Sequence, residues 1–184
     1  MMSISKSFRD QVIAAIPGLR AFGLSLTARG DRADDLVQET LMKAWKYHDS
    51  FEPGSNMKAW LYTILRNEFY TQLRKRKREV EDADGFYSNK VAVNGEQEGH
   101  LDMADLRVAL SKLVDDQREA LILVGASGFS YEEAAKICKV EIGTIKSRVN
   151  RARAKLAELL DISPNEKFGP DSSTEAVLNN PFRN

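Results

Sequence analysis

The stretch that decides the fold is SYEEAAKICKVEIGTIKSRVNRARAKLAELL, residues 130–160. Ser130 followed by Glu133 predicts a capping box that starts a short helix running through Cys138. Three residues of turn lead into a longer helix, whose apolar residues recur at three- and four-residue steps on one face. That apolar face consists of Ile145, Val149, Ala152, Leu156 and Leu159. A short helix, a tight turn and a longer second helix describe a helix-turn-helix unit.

The longer helix is basic on the side away from its apolar face. Residues 136–155 contain seven Lys or Arg residues and one acid, Glu141. The outward side carries Lys146, Ser147, Asn150, Arg151 and Ala154, with Arg148, Arg153 and Lys155 on the flanks. Taken alone, this pattern fits a DNA-reading helix and fits equally a solvated basic helix on a bundle. The rest of the chain has to decide between the two.

The whole-chain charge conceals a segregation of charges. The 184 residues carry 27 basic and 27 acidic side chains, giving a formal net charge of +0. Residues 74–78 are five consecutive cations, whereas residues 81–105 contain seven acids and one lysine, Lys90. Cationic patches matter more for nucleic-acid binding than the overall charge does. The pattern therefore predicts an acidic connector between two basic modules.

Several function classes find no support in the sequence. The apolar runs are too short for a membrane span, and the N-terminal residues are too charged for a signal peptide. A lone cysteine, Cys138, excludes an internal disulfide and fits a reducing cytoplasm. His48 and His100 lie in or beside predicted loops, and neither a glycine-rich phosphate loop nor a metal-ligand cluster is evident. We expect no enzyme activity, no metal or other cofactor, and no small-molecule ligand.

Read in order, the chain predicts an all-α protein with two small helical domains joined by a flexible acidic linker. The first domain covers 10–80, with a helix broken or kinked near Pro17, a second beginning at Asp31 or Asp34, and a third over 58–78. The linker covers 81–100. The second domain covers 101–161, with helices over 102–113 and 116–126 before the helix-turn-helix. The polar tail, 162–184, is predicted to be disordered.

Three stretches together resemble a known family. DDLVQETLMKAWKY, FEPGSNMKAWLYTILRNEF followed by RKRKRE, and DQREALILVGASGFSYEEAA with GTIKSRVNRAR are similar to the second and fourth conserved regions of bacterial sigma factors of the extracytoplasmic-function group. The sequences DDLVQET, WLYTILRN and DQREALILVGASGFSYEEAA are most similar to the general-stress sigma factors of alphaproteobacteria. The resemblance covers about residues 10–160 and implies a sigma region 2 domain, a linker and a sigma region 4 domain.

For the first domain, the resemblance implies two surfaces. Asp35, Gln38 and Glu39 match positions that dock on core RNA polymerase; without the resemblance they would be a solvated helix face. The loop over 48–56 and the helix after it resemble the part that captures the melted −10 element. A single strand needs cations for its backbone and aromatic rings for its bases. The candidates are Phe51, Trp60, Asn67, Tyr70, Arg74 and Lys75. Asn67, Tyr70, Arg74 and Lys75 are favoured, since aromatic residues on an apolar stripe, such as Trp60 and Phe69, more often belong to the core.

For the second domain, helix geometry and the resemblance agree on a −35 surface. Lys146, Ser147, Asn150 and Arg151 are expected to face the major groove, where such side chains pair with base edges. Arg148 and Arg153, on the flanks with Lys155, and Thr144, near the start of the helix, are expected to contact phosphates.

The sequence departs from the family pattern at two turns. Lys139 stands where the family places glycine in the helix-turn-helix turn, and a left-handed backbone there costs about 1 kcal/mol. Leu113-Val114 stands where the family has Leu-Pro, which predicts a lengthened helix at that point.

The resemblance also implies partners: core RNA polymerase, promoter DNA and an anti-sigma factor similar to NepR. The predicted function is promoter-specific transcription initiation in the cytoplasm, with stress-response genes as targets. One alternative is a sigma-like decoy that sequesters an anti-sigma protein without binding DNA; such a decoy has no need of the basic stretches 74–78 and 146–155. A stand-alone helix-turn-helix repressor would leave the first domain unexplained.

Overall fold

A computed structural model of the chain describes residues 6–81 and 103–161. All regular structure within these two ranges is helical, which confirms the all-α prediction. The predicted tail and the linker beyond Glu81 lie outside the described residues. The helices are α1 (Lys6–Thr27), α2 (Gly30–Lys46), α3 (Met57–Glu81), α4 (Met103–Ser111), α5 (Asp115–Leu121), α6 (Tyr131–Cys138) and α7 (Ile142–Leu159), with a 3-10 turn at His48–Ser50 and a π-helical turn at Ile122–Ala126.

Helices α1–α3 form the first lobe. Gly23 packs on Ala33 at one end of the α1–α2 pair and Phe8 lies 5.7 Å from Trp45 at the other, so the two helices run antiparallel. Helix α3 packs against both. At one close approach, a Cβ on Gly18 would lie 2.7 Å from the Tyr62 hydroxyl, so glycine is needed there. The fully buried centre of this lobe consists of Leu19, Phe22, Leu36, Leu61 and Leu65.

Two boundaries differ from the sequence predictions. A break or kink was predicted near Pro17; Pro17 lies inside an uninterrupted α1, so of these two the break is wrong. The buried residues Val12 and Leu19 on either side hold the two halves of the helix against one core, which outweighs the hydrogen bond that proline removes. Helix α4 ends at Ser111, and Val114 has φ −61° and ψ 139°, so the predicted lengthening is wrong as well. Val114 instead begins α5, and its carbonyl accepts the amide N–H groups of Gln117 and Arg118.

Helices α4–α7 form the second lobe. The apolar face of α7 is buried as its periodicity predicts, with Ile145, Val149, Ala152 and Leu156 at 0–1% exposure. Leu123, from the π-helical turn that continues α5, and Ile137 from α6 complete this core. None of the described helices is long and apolar enough to cross a membrane.

The two lobes pack directly on each other. Helix α3 contacts α6, and α1 contacts α4 and α5. The ring of Phe129, just before α6, meets the ring of Tyr62 on α3 edge-on at 4.9 Å. A continuous cluster of buried apolar residues runs from α1 through this contact into α6 and α7. Any surface of α3 that faces α5 and α6 is therefore covered.

Candidate nucleic-acid interface

The turn between α6 and α7 fixes the direction of the basic helix. Ser130 and Glu133 form the predicted capping box, with the Glu133 amide donating to the Ser130 hydroxyl at 3.1 Å and the Ser130 amide donating to the Glu133 carboxylate at 2.9 Å. The backbone of Lys139 has the left-handed helical conformation, with φ 56° and ψ 48°. Its conformation lets the Val140 amide return to the Ala135 carbonyl, so the helix-turn-helix geometry forms without glycine.

Helix α7 presents a row of polar side chains to solvent, which we call the outer row: Lys146, Asn150 and Arg151. All three are exposed, and Arg151 makes no hydrogen bond or ion pair with any described residue. Lys146 lies over the Tyr131 ring with its ammonium 6.0 Å from the centroid. The opposite face of α7 is buried, so these side chains project from a fixed helix. The row can approach base edges in a groove as a rigid unit.

Three other predicted −35 residues differ in exposure. Arg153 is exposed on the flank, as a phosphate contact requires. Ser147 and Thr144 are half-buried, and the Ser147 hydroxyl donates to the Thr144 carbonyl at 2.9 Å. Because that hydroxyl already has a partner, reading a base with it requires a change of rotamer or a second hydrogen bond.

Arg148 is engaged with its own lobe. Its side chain is 18% exposed, and Nη2 donates to the Asp116 carboxylate of α5 at 2.5 Å. Its Nη1 is buried and has no hydrogen-bond partner among the described residues. The predicted phosphate contact by Arg148 would require this ion pair to open.

On α3, the predicted −10 residues fall into two groups. Asn67, Arg74 and Lys75 are exposed along one side of the helix. Arg74 donates back to the Tyr70 carbonyl at 3.3 Å, so it lies along the helix surface. Tyr70, by contrast, is half-buried beneath the second lobe. The structure thus brings three of the four residues to one open surface and covers the fourth.

Tyr70 belongs to a set of polar side chains that joins the lobes, which we call the interlobe network. The Tyr70 hydroxyl lies 3.3 Å from Glu119 and 3.4 Å from Asp116, both on α5. The Arg66 Nε donates to Glu119 at 2.7 Å, and the Arg66 guanidinium stacks on the Tyr70 ring at 4.6 Å. Arg148 completes the network through Asp116.

The network is unusual in its burial. Glu119 is 0% exposed, and this burial raises the pKa of its carboxyl group, although the Arg66 guanidinium opposes the shift. Burial likewise raises the pKa of Tyr70, with the Glu119 charge adding to the effect. Burial, reinforced by the same carboxylate, raises the pKa of the neighbouring Cys138 thiol to about 12. Cys138 is thus a buried thiol.

Sequence reasoning missed this network. The available signal was Glu119 itself, a charged residue four positions before buried Leu123 and next to buried Ala120 on α5. A carboxylate on a core-facing position needs a cationic partner. The sequence does not indicate that this partner is Arg66, 53 residues earlier and in the other lobe.

The predicted core-polymerase residues lie together on the outer face of α2. Asp35, Gln38 and Glu39 are all exposed. Asp35 also borders a shallow cleft of about 290 Å³ between α2 and α3, which Arg32 and Gln72 help to line. These residues contribute little to the core of the first lobe and are available to a partner.

Aromatic residues near the predicted −10 loop serve the core. Phe51 and Trp60 lie 5.3 Å apart by ring centroid and both pack on Phe8 of α1, at 5.8 and 6.1 Å. Phe69 is 5% exposed. No group of three or more potential metal ligands comes together in the part of the chain that the structure describes.

A groove of about 550 Å³ lies where α1 and α3 meet α4 and α5, which we call the central groove. Its apolar lining includes Phe22, Leu24, Leu110 and Ile122. Its charged lining consists of Lys58, Arg107 and Arg118, with no carboxylate among the described residues that border it. The Nε of Arg118 is buried and has no hydrogen-bond partner there. The central groove is therefore apolar at its floor and positively charged.

Comparison with known proteins identifies the family to which the chain belongs. Residues 13–79 match the family model described as Sigma-70 region 2, and residues 103–156 match Sigma-70, region 4. The ECF RNA polymerase sigma factor EcfG of Rhodopseudomonas palustris is 59% identical over 177 residues, covering 96% of this chain and 98% of that one. The sigma factor CnrH of Cupriavidus metallidurans is 30% identical, covering 81% and 82% of the two chains.

Solved structures give the same assignment. The sigma factor RpoE of Bartonella quintana, crystallised with the anti-sigma factor NepR, is 59% identical with a TM-score of 0.78, covering 86% of this chain and 99% of that one. PhyRSL from Sphingomonas sp. Fr1, in a complex with NepR, is 20% identical with a TM-score of 0.62, covering 88% and 94% of the two chains, and shows the fold alone.

A two-lobe helical protein with a helix-turn-helix at one end and these two family regions is a promoter-recognition factor of the sigma-70 class. The chain belongs to the extracytoplasmic-function sigma factors of bacterial RNA polymerase. These proteins are transcription initiation factors, not enzymes, and they work with core RNA polymerase on promoter DNA.

Proposed function

We propose that this sigma factor directs core polymerase to promoters of general stress-response genes, in the cytoplasm. The 59% identity to EcfG supports the stress assignment. In this proposal residues 10–80 act as the region 2 module and residues 101–161 as the region 4 module. The observation that carries the DNA-binding part is the outer row of α7, three exposed polar side chains on a helix whose opposite face is buried.

Within this function, the outer row reads the −35 element as duplex. Arg151 or Lys146 pairs with guanine and Asn150 with adenine, while Arg153 holds a phosphate. Asn67, Arg74 and Lys75 guide the −10 single strand along α3, and Tyr70 supplies a stacking surface once it is uncovered. A permanganate footprint of the reconstituted holoenzyme tests this division, since unpaired thymines should appear at the −10 element and not at the −35 element.

Asp35, Gln38 and Glu39 form the core-polymerase dock in this proposal. The double variant Asp35→Ala/Glu39→Ala should leave the free energy of unfolding within about 0.5 kcal/mol of wild type, because both side chains are exposed. Its affinity for core polymerase should fall by at least tenfold, about 1.4 kcal/mol. Asp10→Ala, an exposed acid on α1, is the matched control. Unchanged core affinity in the double variant would move the dock elsewhere.

An anti-sigma factor is the proposed regulator, and the central groove is its proposed docking surface. Lys58 and Arg107, beside an apolar lining and without a bordering carboxylate, fit an amphipathic helix that carries acids on one edge; the third cation, Arg118, already pairs with Asp115. The relative RpoE, 59% identical, was crystallised with NepR. NepR from Bartonella quintana is therefore a suitable probe.

Two matched alanines on α1 test this docking surface. Ala21 lines the central groove and Ala14 lies outside it, yet both are exposed. Ala21→Trp should weaken NepR binding by at least about tenfold because the indole occupies the groove, whereas Ala14→Trp should not. Bound NepR should also slow amide exchange in α1 and α4 together. Protection confined to one lobe, or equal affinities for the two variants, would reject the central groove as the site.

A further inference from the structure

The interlobe network involves a residue that promoter binding is proposed to use. Tyr70, a proposed −10 residue, is held at 3.3–3.4 Å from two carboxylates of the second lobe. Arg66 lies one turn before Tyr70 on the same helix, and its Nε–H donates a hydrogen bond to one of those carboxylates, that of Glu119, at 2.7 Å. In this arrangement Asp116 and Glu119 lie against a cation and an aromatic ring of α3. Anionic oxygens in that position resemble the phosphates of a DNA strand.

With its two lobes in contact, which we call the closed arrangement, the protein is too short to span the −35 and −10 elements of a promoter. Elements centred near −35 and −10 are separated by about 25 base pairs, or roughly 85 Å at 3.4 Å per base pair. Here the lobes are in van der Waals contact, with Lys58 of α3 lying 4.9 Å from the Phe129 ring centroid beside α6. The two DNA surfaces cannot reach both elements until the lobes separate.

Separation has to break the interlobe network. Glu119 is fully buried, and Arg66 is its cationic partner from the other lobe. Parting the lobes lets water reach both charges, whereas removing one of the two residues leaves the other buried without its partner in the closed form, which is strongly unfavourable. The other polar contacts across the junction are less buried, for example Asn56 donating to Glu133 at 2.7 Å on the exposed surface, while the Tyr62–Phe129 contact is buried but apolar. The Arg66–Glu119 pair is therefore the polar contact at which a single substitution should most disfavour the closed arrangement.

We propose that Asp116 and Glu119 act as an intramolecular substitute for promoter DNA, holding Arg66 and Tyr70 of α3 and keeping the free sigma factor closed. We call this contact of Asp116 and Glu119 with Arg66 and Tyr70 the clasp. The clasp is inferred from the contacts alone, while the need to open it for promoter spacing rests on the proposed function. Opening frees Tyr70 and Arg66 from these carboxylates, so in the free protein this part of α3 is covered until polymerase or DNA separates the lobes, while Asn67, Arg74 and Lys75 stay exposed.

The chain offers a matched pair of acids for testing the clasp. Asp115 and Asp116 are neighbours in the first turn of α5, with side chains 49% and 47% exposed. Asp116 contacts Tyr70 and Arg148, whereas Asp115 pairs with Arg118 at 2.5 Å inside the second lobe. Asp116→Asn and Asp115→Asn thus remove the same charge from the same helix, and Asp116 is the one of the two that faces α3.

The experiment measures the distance between spin labels in the full-length chain without polymerase. Labels at Ala14→Cys and Ala154→Cys report on α1 and α7, both at exposed positions, while Cys138 is buried and does not compete for the reagent. We expect the parent protein to show mainly one short-distance population. Glu119→Gln should raise the ratio of long to short distances by at least about tenfold. Asp116→Asn should raise it about two- to fivefold, and Asp115→Asn should leave it unchanged.

Two outcomes would overturn the clasp. One is a Glu119→Gln distance distribution equal to that of the parent; the other is an equal response of Asp115→Asn and Asp116→Asn. Arg66→Gln provides a second route, since it removes the same ion pair from the other lobe and should also favour long distances. Because the readout contains neither polymerase nor promoter, a failed clasp is distinguishable from a failed promoter assignment.

Discussion

The two proposed DNA surfaces of this sigma factor differ in how the free protein presents them. On α7 the outer row is exposed and its three members project from a helix fixed by a buried opposite face. On α3 the proposed strand-binding surface is split, because Asn67 and Arg74 are exposed while Tyr70 lies under the second lobe. In our proposal the outer row reads the duplex without any rearrangement of α7, whereas capture of the single strand by Tyr70 needs the lobes to part.

This difference has a physical origin. A duplex-reading helix presents polar side chains that are satisfied by water when DNA is absent. A strand-capturing surface needs an aromatic ring for base stacking, and an exposed ring beside cations is readily covered by another part of the chain. Here α5 supplies the cover, with carboxylates placed against Arg66 and Tyr70.

The largest expected effect separates the two faces of α7. Leu156 is 1% exposed in the core of the second lobe, so Leu156→Ala should cost about 2–5 kcal/mol of unfolding free energy. Asn150→Ala, on the exposed face, should change stability by less than about 0.5 kcal/mol. Urea unfolding followed by circular dichroism measures both. Similar losses in the two variants would mean that the outer face of α7 is packed and unavailable to DNA.

Next in size is the contrast between Arg151 and Arg153 within the −35 surface. Arg151→Ala should cost about 1–3 kcal/mol on the preferred −35 sequence and relax discrimination at one position. Arg153→Ala should weaken binding to all sequences alike and lower the salt slope by about one ion. Holoenzyme affinities for promoters varied at each −35 position, over a salt series, give both quantities. If Arg151→Ala weakens every variant equally, Arg151 contacts a phosphate and the docking of α7 differs from our proposal.

The smallest effect distinguishes the two roles of Tyr70. Tyr70→Ala removes the stacking ring, so promoter opening should weaken by about 1–3 kcal/mol. Tyr70→Phe keeps the ring and loses only the hydroxyl that lies against Glu119 and Asp116, so opening should be unchanged or slightly easier. A fluorescent base at the −10 element of the holoenzyme complex reports the open fraction. Equal loss in both variants would assign the function of Tyr70 to its hydroxyl.

The sequence predicted the elements that rest on local signals. Helical periodicity identified the buried face of α7, and the Ser130–Glu133 spacing identified its capping box. The exposure of Asp35, Gln38 and Glu39 followed from the same periodicity on α2. These features depend on residues three or four positions apart, and helix geometry alone decides whether such residues lie on the same face.

Features that depend on distant residues were not predicted. The pairing of Arg66 with Glu119 depends on how two lobes meet, which no local pattern records. Arg148 was expected on a phosphate because of its flank position, yet the structure places it against Asp116. Pro17 was expected to break or kink α1, but buried residues on both sides keep the helix continuous. In each case tertiary packing outweighed a valid local rule.

Run-off transcription is the most direct test of the central claim, that this chain confers promoter specificity through α7 and α3. Core polymerase would be combined with the purified full-length chain on promoters that differ separately in the −35 and −10 elements. We predict RNA from one start site, lost when either element is replaced, and a −35 preference that Arg151→Ala relaxes at a single position. RNA that does not depend on the −35 element, or no RNA beyond that of core polymerase alone, would contradict the account.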